Sequence, residues 1–360
     1  MTCVFRVKYN GYMATGYLYD PLYLQHFQPG HVEGPERLTE INRALAETGM
    51  RARLVALPPQ PLSLERLSRV HHTRHIERVR SVAERGGGGL MGLGDETYLA
   101  PRSYDAALLA AGAVVAGVEA VLHGDVRNTF ALVRPPGHHA FADHGEGFCL
   151  FNNIAIAAAT ARAEFGIDRV LIVDFDVHHG NGTNAIFYRD PSVLYFSTHQ
   201  WGIYPGTGWW DEVGEGQGVG SSVNVPMLPG WGDEAMRCVF GDLLVPIVRR
   251  FQPQLILVSA GYDSSWTDRL GSMLVTTPGF FELTRTLVQL ADELCDGKLV
   301  LTLEGGYGLD GLAYGVVASF AAMLGDKTVA DPVGPGRYTE KPFDDQYLDQ
   351  LRALHGLPPC

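Results

Sequence analysis

The chain has 360 residues, 46% of them hydrophobic, and a formal net charge of −12. That content is ample for a large buried core. The negative charge excludes a general nucleic-acid binder, which needs a basic face. Five cysteines, far apart and without CxxC spacing, make neither a disulfide framework nor a cysteine zinc site. The N-terminus lacks a charged region followed by an apolar one, so no signal peptide is indicated. No apolar run approaches the ~20 residues that span a bilayer. A cytoplasmic protein with no membrane partner is the expectation.

In chain order, His71-His72 reads as a helix-start or surface pair, and Gly86 to Gly89 as a flexible surface loop. A helical pattern over Ser103–Leu122 precedes an apolar strand run, Thr129–Val133. A helix over Asn153–Phe165 is followed by strands over Val170–Phe175 and Val193–Phe196. A helix over Asp233–Arg250 leads to a strand over Leu255–Ser259. A helix over Pro278–Leu294, a strand over Leu299–Leu303 and a helix over Leu309–Leu324 complete the series. The tail after Lys327 is richer in proline and charge and should wrap the surface. Continuous apolar strands alternating with helices predict one α/β domain whose mostly parallel sheet is covered on both faces.

Each strand run ends in chemistry. Arg134-Pro-Pro-Gly-His138-His139 follows the first, Asp176-Val-His178-His179-Gly-Asn181 the second and Ser197-Thr-His199 the third. Gly261-Tyr262-Asp263 follows the fourth and Glu304-Gly-Gly-Tyr307 the fifth. Ligands of open α/β sheets bind outside the carboxyl ends of the strands, so five strands should deliver these residues to one rim.

Asp176 and His178 are two apart and project to one side of an extended segment. Asp263 could add a third ligand. Three O/N ligands with a free position are the pattern of a catalytic zinc, although Fe(II) or Mn(II) also suit these donors. A salt-bridged pair at a strand end is the plainer reading of Asp-x-His alone; Asp174, His179, His138 and His139 tilt the balance to a metal. At the Pro-Pro-Gly turn an imidazole can move a proton to or from water. Asp174 and Asn181 are natural partners to orient the rings. The Gly-Gly pair permits a close approach by Tyr307, whose phenol could donate to a developing oxyanion. These parts make a metal-dependent amide hydrolase. No GxSxG, P-loop or post-strand GxGxxG supports serine hydrolysis, nucleotide hydrolysis or dinucleotide binding.

RPPGHH (134–139), GFCLFNN (147–153), DFDVHHGNG (174–182), YPGTG (204–208), SAGYD (259–263) and LEGGY (303–307) resemble the zinc-dependent histone deacetylase superfamily. The match in order and spacing covers about residues 15–325, leaving 326–360 as a C-terminal surface segment. HVEGPERL (31–38) resembles the family's opening motif. Asn181 and EGGY resemble the class II branch and the bacterial histone deacetylase-like amidohydrolases. The resemblance implies a three-layer arginase/deacetylase-type α/β/α fold with a central, mostly parallel eight-stranded sheet.

It also implies roles, position by position. Asp176, His178 and Asp263 would hold zinc. His139 would be the general base and acid. His138, backed by Asp174, would help hold and polarise water. Tyr307 would bind the scissile carbonyl oxygen. Gly147, Phe148 and Tyr204 would line a tunnel for the acyl-lysine stem, with Leu270 at its mouth. Asp95 would grip the substrate backbone, and Arg37 would sit by a product-acetate channel. One potassium would fall to Asp174, Asp176, His178, Ser197 and Thr198, a second to Phe187, Asp190 and Val193. The resemblance is compatible with a homo-oligomer.

Two features depart from the family pattern: Tyr204 stands where many members have Phe, and the segment after Asp263, residues 264–269, carries Trp266 and Arg269. Both bear on substrate preference. The expected reaction is deacetylation of N-acetyl-lysine in proteins or peptides. An acetylpolyamine amidohydrolase is its rival; a binuclear manganese ureohydrolase and a non-catalytic acyl-lysine module are remoter ones.

Overall fold

The computed structural model describes residues 8–9, 12–89 and 96–359. Its centre is an eight-stranded sheet. In chain order the strands are β1 (Thr15–Leu18), β2 (Val55–Leu57), β3 (Asn128–Ala131), β4 (Val170–Asp174), β5 (Val193–Gln200), β6 (Ser222–Met227), β7 (Leu255–Ala260) and β8 (Leu299–Leu303). The spatial order is β6-β5-β4-β7-β8-β3-β1-β2. Every pairing is parallel, so the sheet is wholly rather than mostly parallel.

β4, β7 and β8 are VLIVD, LILVSA and LVLTL, and each is buried at every residue. A strand buried on both faces needs apolar side chains throughout rather than in alternation. The covering helices fall into two packed groups. Glu36–Glu47, Leu309–Met323 and Thr277–Leu294 form one; Ser103–His123 and Asn153–Phe165 form the other.

Four sequence expectations are corrected here. Ser103–His123 is long and apolar enough to cross a membrane, contrary to the expectation of no such run; it is mostly buried, against β3 and its partner helix. The predicted helix 233–250 is interrupted: Asp233–Cys238 passes into a π-helical segment, Val239–Leu244, and then into Val245–Phe251. Gly88–Gly89 is a short strand paired antiparallel with Tyr98–Leu99, not a free loop. His71 is buried rather than superficial, and its Nε2 accepts the Asn152 N–H at 2.8 Å; only His72 sits at a helix start.

The C-terminal segment ends in the helix Asp345–Leu354, capped by Asp344. Its Tyr347 donates to Pro226 O at 2.8 Å and packs on Trp231 with Phe343. Cys149, Cys238 and Cys295 are free thiols.

Candidate metal centre and active site

Asp176 and His178 leave the end of β4, and Asp263 leaves the neighbouring β7. One ligand atom from each lies within 4.8 Å of the other two. His178 Nδ1 is 3.1 Å from both Asp176 Oδ1 and Asp263 Oδ2. The second carboxylate oxygens are held by backbone: Gly305 N–H donates to Asp176 Oδ2 at 2.7 Å, and Val177 N–H to Asp263 Oδ1 at 2.8 Å. Both carboxylates are thereby oriented, with one oxygen of each turned to the same imidazole nitrogen.

Bare, this cluster is electrostatically uncomfortable. Burial and then the Asp176 charge push the Asp263 carboxyl up to about 7. Burial also opposes charge on His178, but Asp176 and Asp263 outweigh it and push the imidazole up to about 10. A divalent cation held by these three side chains would offset both carboxylates and take the place of that proton. Two carboxylates, one imidazole and no thiolate are a donor set that suits a catalytic metal.

The turn after β3 brings His138 and His139 alongside, their ring centroids 4.0 Å apart. Glu304, at the end of β8, fixes this turn: its Oε2 accepts from Gly137 N–H at 2.7 Å and His138 N–H at 3.2 Å. Its Oε1 accepts from Ser259 Oγ at 3.0 Å. His138 Nδ1 donates to Asp174 Oδ2 at 3.1 Å. Burial disfavours a charged His138, yet Asp174 and Asp176 win and push it up to about 10. His139 is the opposite case. Burial, with His138 and His178 beside it, holds it well below its ordinary value. Its Nδ1 donates to Asn181 Oδ1 at 2.8 Å, so Nε2 carries the lone pair. Two adjacent imidazoles therefore have opposite proton affinities.

Tyr307 lines the same pocket as the metal cluster and both histidines. Burial pushes its phenol well above the usual value, which keeps it a donor. Arg37 lies behind it, with its guanidinium 4.9 Å from the ring centroid. That guanidinium is buried and spent on Glu33 Oε1 (2.9 Å), Gly306 O (2.7 Å) and Glu304 O.

The pocket has a volume of about 610 Å³. Gly147, Phe148, Tyr204 and Leu270 all line it. Phe148 meets Tyr307 edge to face, ring centroids 5.9 Å apart, and Tyr204 meets His139 in the same way at 5.0 Å. Gly147 and Phe148 both have positive φ, 54° and 68°. A Cβ on Gly147 would lie 2.4 Å from His139 Cδ2, so glycine is required for this approach. Asp95, expected at the rim, lies outside the described residues.

Of the residues assigned to potassium, Asp174 and Ser197 are register partners across β4 and β5. Thr198 Oγ1 is buried with no hydrogen-bond partner. Phe187, Asp190 and Val193 cluster in one turn, where Asp190 N–H donates to Phe187 O and Val193 N–H to Asp190 O.

The sequence reading passed over several residues that position the site. Asp268 Oδ2 accepts from the Tyr307 and Gly308 N–H groups at 2.6 and 2.7 Å. Glu33 pairs with both Arg37 and Arg134 in the interior. Glu146 accepts from Asn181 and Tyr204. The only sequence signal was their place beside the motifs.

Comparison with known proteins agrees with this geometry. The histone deacetylase domain family matches residues 31–323. A probable deacetylase of Archaeoglobus fulgidus is 41% identical over 317 residues, covering 87% of this chain and 87% of that protein. A histone deacetylase-like amidohydrolase of Pseudomonas aeruginosa is 38% identical over 339 residues, covering 92% and 88% respectively. The polyamine deacetylase HDAC10 of Homo sapiens is 41% identical over 318 residues, covering 84% of this chain but 46% of its own length. The crystal structure of the HDA15 HD domain superposes with a TM-score of 0.86 at 36% identity, over 95% of this chain and 94% of that one. The chain belongs to the histone deacetylase domain family.

Proposed function

We propose that this protein is a zinc-dependent amidohydrolase that removes the acetyl group from N-acetyl-lysine in proteins or peptides. One observation carries the reading: Asp176, His178, His139 and Tyr307 open onto a single pocket, with Asp263 beneath them. Asp176, His178 and Asp263 would hold zinc, which when bound supplies Lewis acidity toward an amide carbonyl and a water molecule.

The chain's own groups supply the rest. His139, kept neutral by burial and by the cationic His138 beside it, takes the proton of the attacking water at Nε2. The same Nε2–H then protonates the departing amine. His138 keeps its Nδ1 proton on Asp174 and offers positive charge beside the developing oxyanion. Tyr307 donates its O–H to the carbonyl oxygen as charge develops there. Phe148 and Tyr204 give apolar faces for the methylene stem of the acyl-lysine, and Leu270 an apolar contact near them. Potassium at Asp174, Asp176, His178, Ser197 and Thr198 is part of the same reading, supported by the register pairing of Asp174 with Ser197 across β4 and β5.

A second reading is an acetylpolyamine amidohydrolase. The carboxylates of Glu96 and Glu146 line the pocket and favour a cationic amine. The human relative named a polyamine deacetylase keeps it in view. Turnover of an acetyl-lysine peptide and of N-acetylputrescine by the same zinc-loaded preparation separates the two. A higher kcat/KM on the peptide is expected; turnover of the polyamine alone would overturn the first reading.

A further inference from the structure

The side-chain amide of Asn181 has a symmetric outline and two chemically different ends. Its Oδ1 faces His139 Nδ1 at 2.8 Å, and its Nδ2 donates to Glu146 Oε1 at 2.6 Å. The same Glu146 oxygen accepts the Tyr204 hydroxyl at 3.0 Å, and Oε2 lies 3.5 Å from His144 Nε2. Glu146 is placed there by a tight turn, in which Cys149 N–H donates to Glu146 O at 2.9 Å and Gly147 adopts positive φ.

From this geometry we infer that Glu146 is a positioning residue: it fixes which end of the Asn181 amide faces His139, and thereby which imidazole nitrogen is free to accept a proton. A carboxylate accepts and does not donate. Opposite Glu146, Asn181 must therefore present its NH₂ group. Its carbonyl oxygen is then left for His139, which must donate from Nδ1 and keep the lone pair on Nε2. If the amide turned over, its NH₂ would meet Nδ1, the proton would move to Nε2, and the base would be blocked. An asparagine by itself enforces neither state; Asp at position 181 would, because both its oxygens accept.

The same oxygen steadies the wall of the pocket. Tyr204 is largely exposed, and its ring lies edge to face on His139 at 5.0 Å. Two neighbours of the base, one polar and one aromatic, thus share a single anchor from another loop. This inference rests on the reading of His139 as the base.

The test compares wild type, Glu146→Leu, Asn181→Asp and the double variant, all zinc-loaded. The first readout is independent of turnover: ¹⁵N chemical shifts of the His139 ring nitrogens, assigned with His139→Gln. Wild type should show a protonated Nδ1 and an unprotonated Nε2. Glu146→Leu should show a mixture or the reverse, and the double variant should return to the wild-type pattern. The second readout is kinetic. Glu146→Leu should lower kcat by about 10- to 100-fold, because a wrong tautomer disables a base that contributes ~10²–10⁴-fold. Asn181→Asp should harm the wild type, where it faces Glu146, and restore activity to Glu146→Leu. An unchanged His139 tautomer in Glu146→Leu overturns the inference. So does an Asn181→Asp effect that is equal in both backgrounds. If no acyl substrate is turned over, the hydrolase reading fails, and the ¹⁵N comparison still decides this one.

Discussion

Gly305 N–H donates to Asp176 Oδ2 at 2.7 Å, joining two motifs 129 residues apart. The bond needs the Gly305 backbone to come so close to the two carboxylates that no side chain fits between them. A Cβ on Gly305 would lie 2.1 Å from Asp263 Oδ2 and 2.6 Å from Asp176 Oδ2. Gly305→Ala should therefore displace both carboxylates. The expected result is a zinc content well below one per chain and a loss of turnover, read by metal analysis and steady-state assay. Near-normal zinc content in a folded Gly305→Ala protein would contradict the metal site.

Tyr307 carries the hydroxyl assigned to the oxyanion, and its backbone N–H is pinned by Asp268. Tyr307→Phe removes one donor and little volume. It should lower kcat by about 10²–10³-fold with zinc affinity unchanged. Asp268→Ala leaves the hydroxyl in place but loosens its support, so a smaller loss is expected. Comparison of kcat and zinc binding for the two variants checks both assignments.

Metal loading should release protons. Without metal, the carboxylates push His178 up to about 10, so it is protonated at pH 7. A metal ligand must be deprotonated. Calorimetric titration of zinc in buffers of different ionisation enthalpy should show net proton release at pH 7. Asp263→Asn should raise the melting temperature of the metal-free protein, because one of two repelling buried carboxylates is neutralised. It should also abolish the further rise produced by added zinc. Thermal melts with and without zinc read both effects.

Acid should destabilise the fold in two stages. Burial holds His26 and His71 down to about 3, so the folded chain resists protonation there. The unfolded chain binds those protons near ~6.5. Their contribution is intact above that pH and is lost as pH falls toward about 3. Burial alone would raise Glu33, but Arg134 and Arg37 hold it down to about 2. Its contribution is present above the usual ~4.5 of a glutamate and is lost as pH falls toward about 2. Melting temperatures of the metal-free protein should decline below pH 6.5 and continue to decline below 4.5. Glu33→Gln should be less stable at neutral pH and should flatten the lower stage.

The strands that carry the site were readable because their burial is uniform. β4, β7 and β8 are buried at every position and apolar but for Asp174, Ser259 and Thr302, and their ends are marked by abrupt polarity. β2 and β6 were not readable. Both are edge strands, and β6 carries Asn224 and Pro226, which a strand with one free side tolerates. β1 is only four residues long and includes Gly16. Ligand candidates within one motif, such as Asp176 and His178, advertised themselves by spacing. Asp268, Glu33 and Glu146 did not, because each acts on a backbone or side chain brought near only by folding. His71 misled for a related reason: its partner, Asn152 N–H, is 81 residues away.

The central claim is that one zinc, held by Asp176, His178 and Asp263, serves an amide-hydrolysing site. The most direct measurement is turnover of an acetyl-lysine peptide by metal-stripped protein as zinc is added back, with bound zinc counted in parallel. The account predicts no turnover in the stripped protein and activity that rises in proportion to zinc, saturating at one per chain. Full turnover without metal, or zinc bound stoichiometrically at these residues with no hydrolysis of any acylated amine, would contradict it.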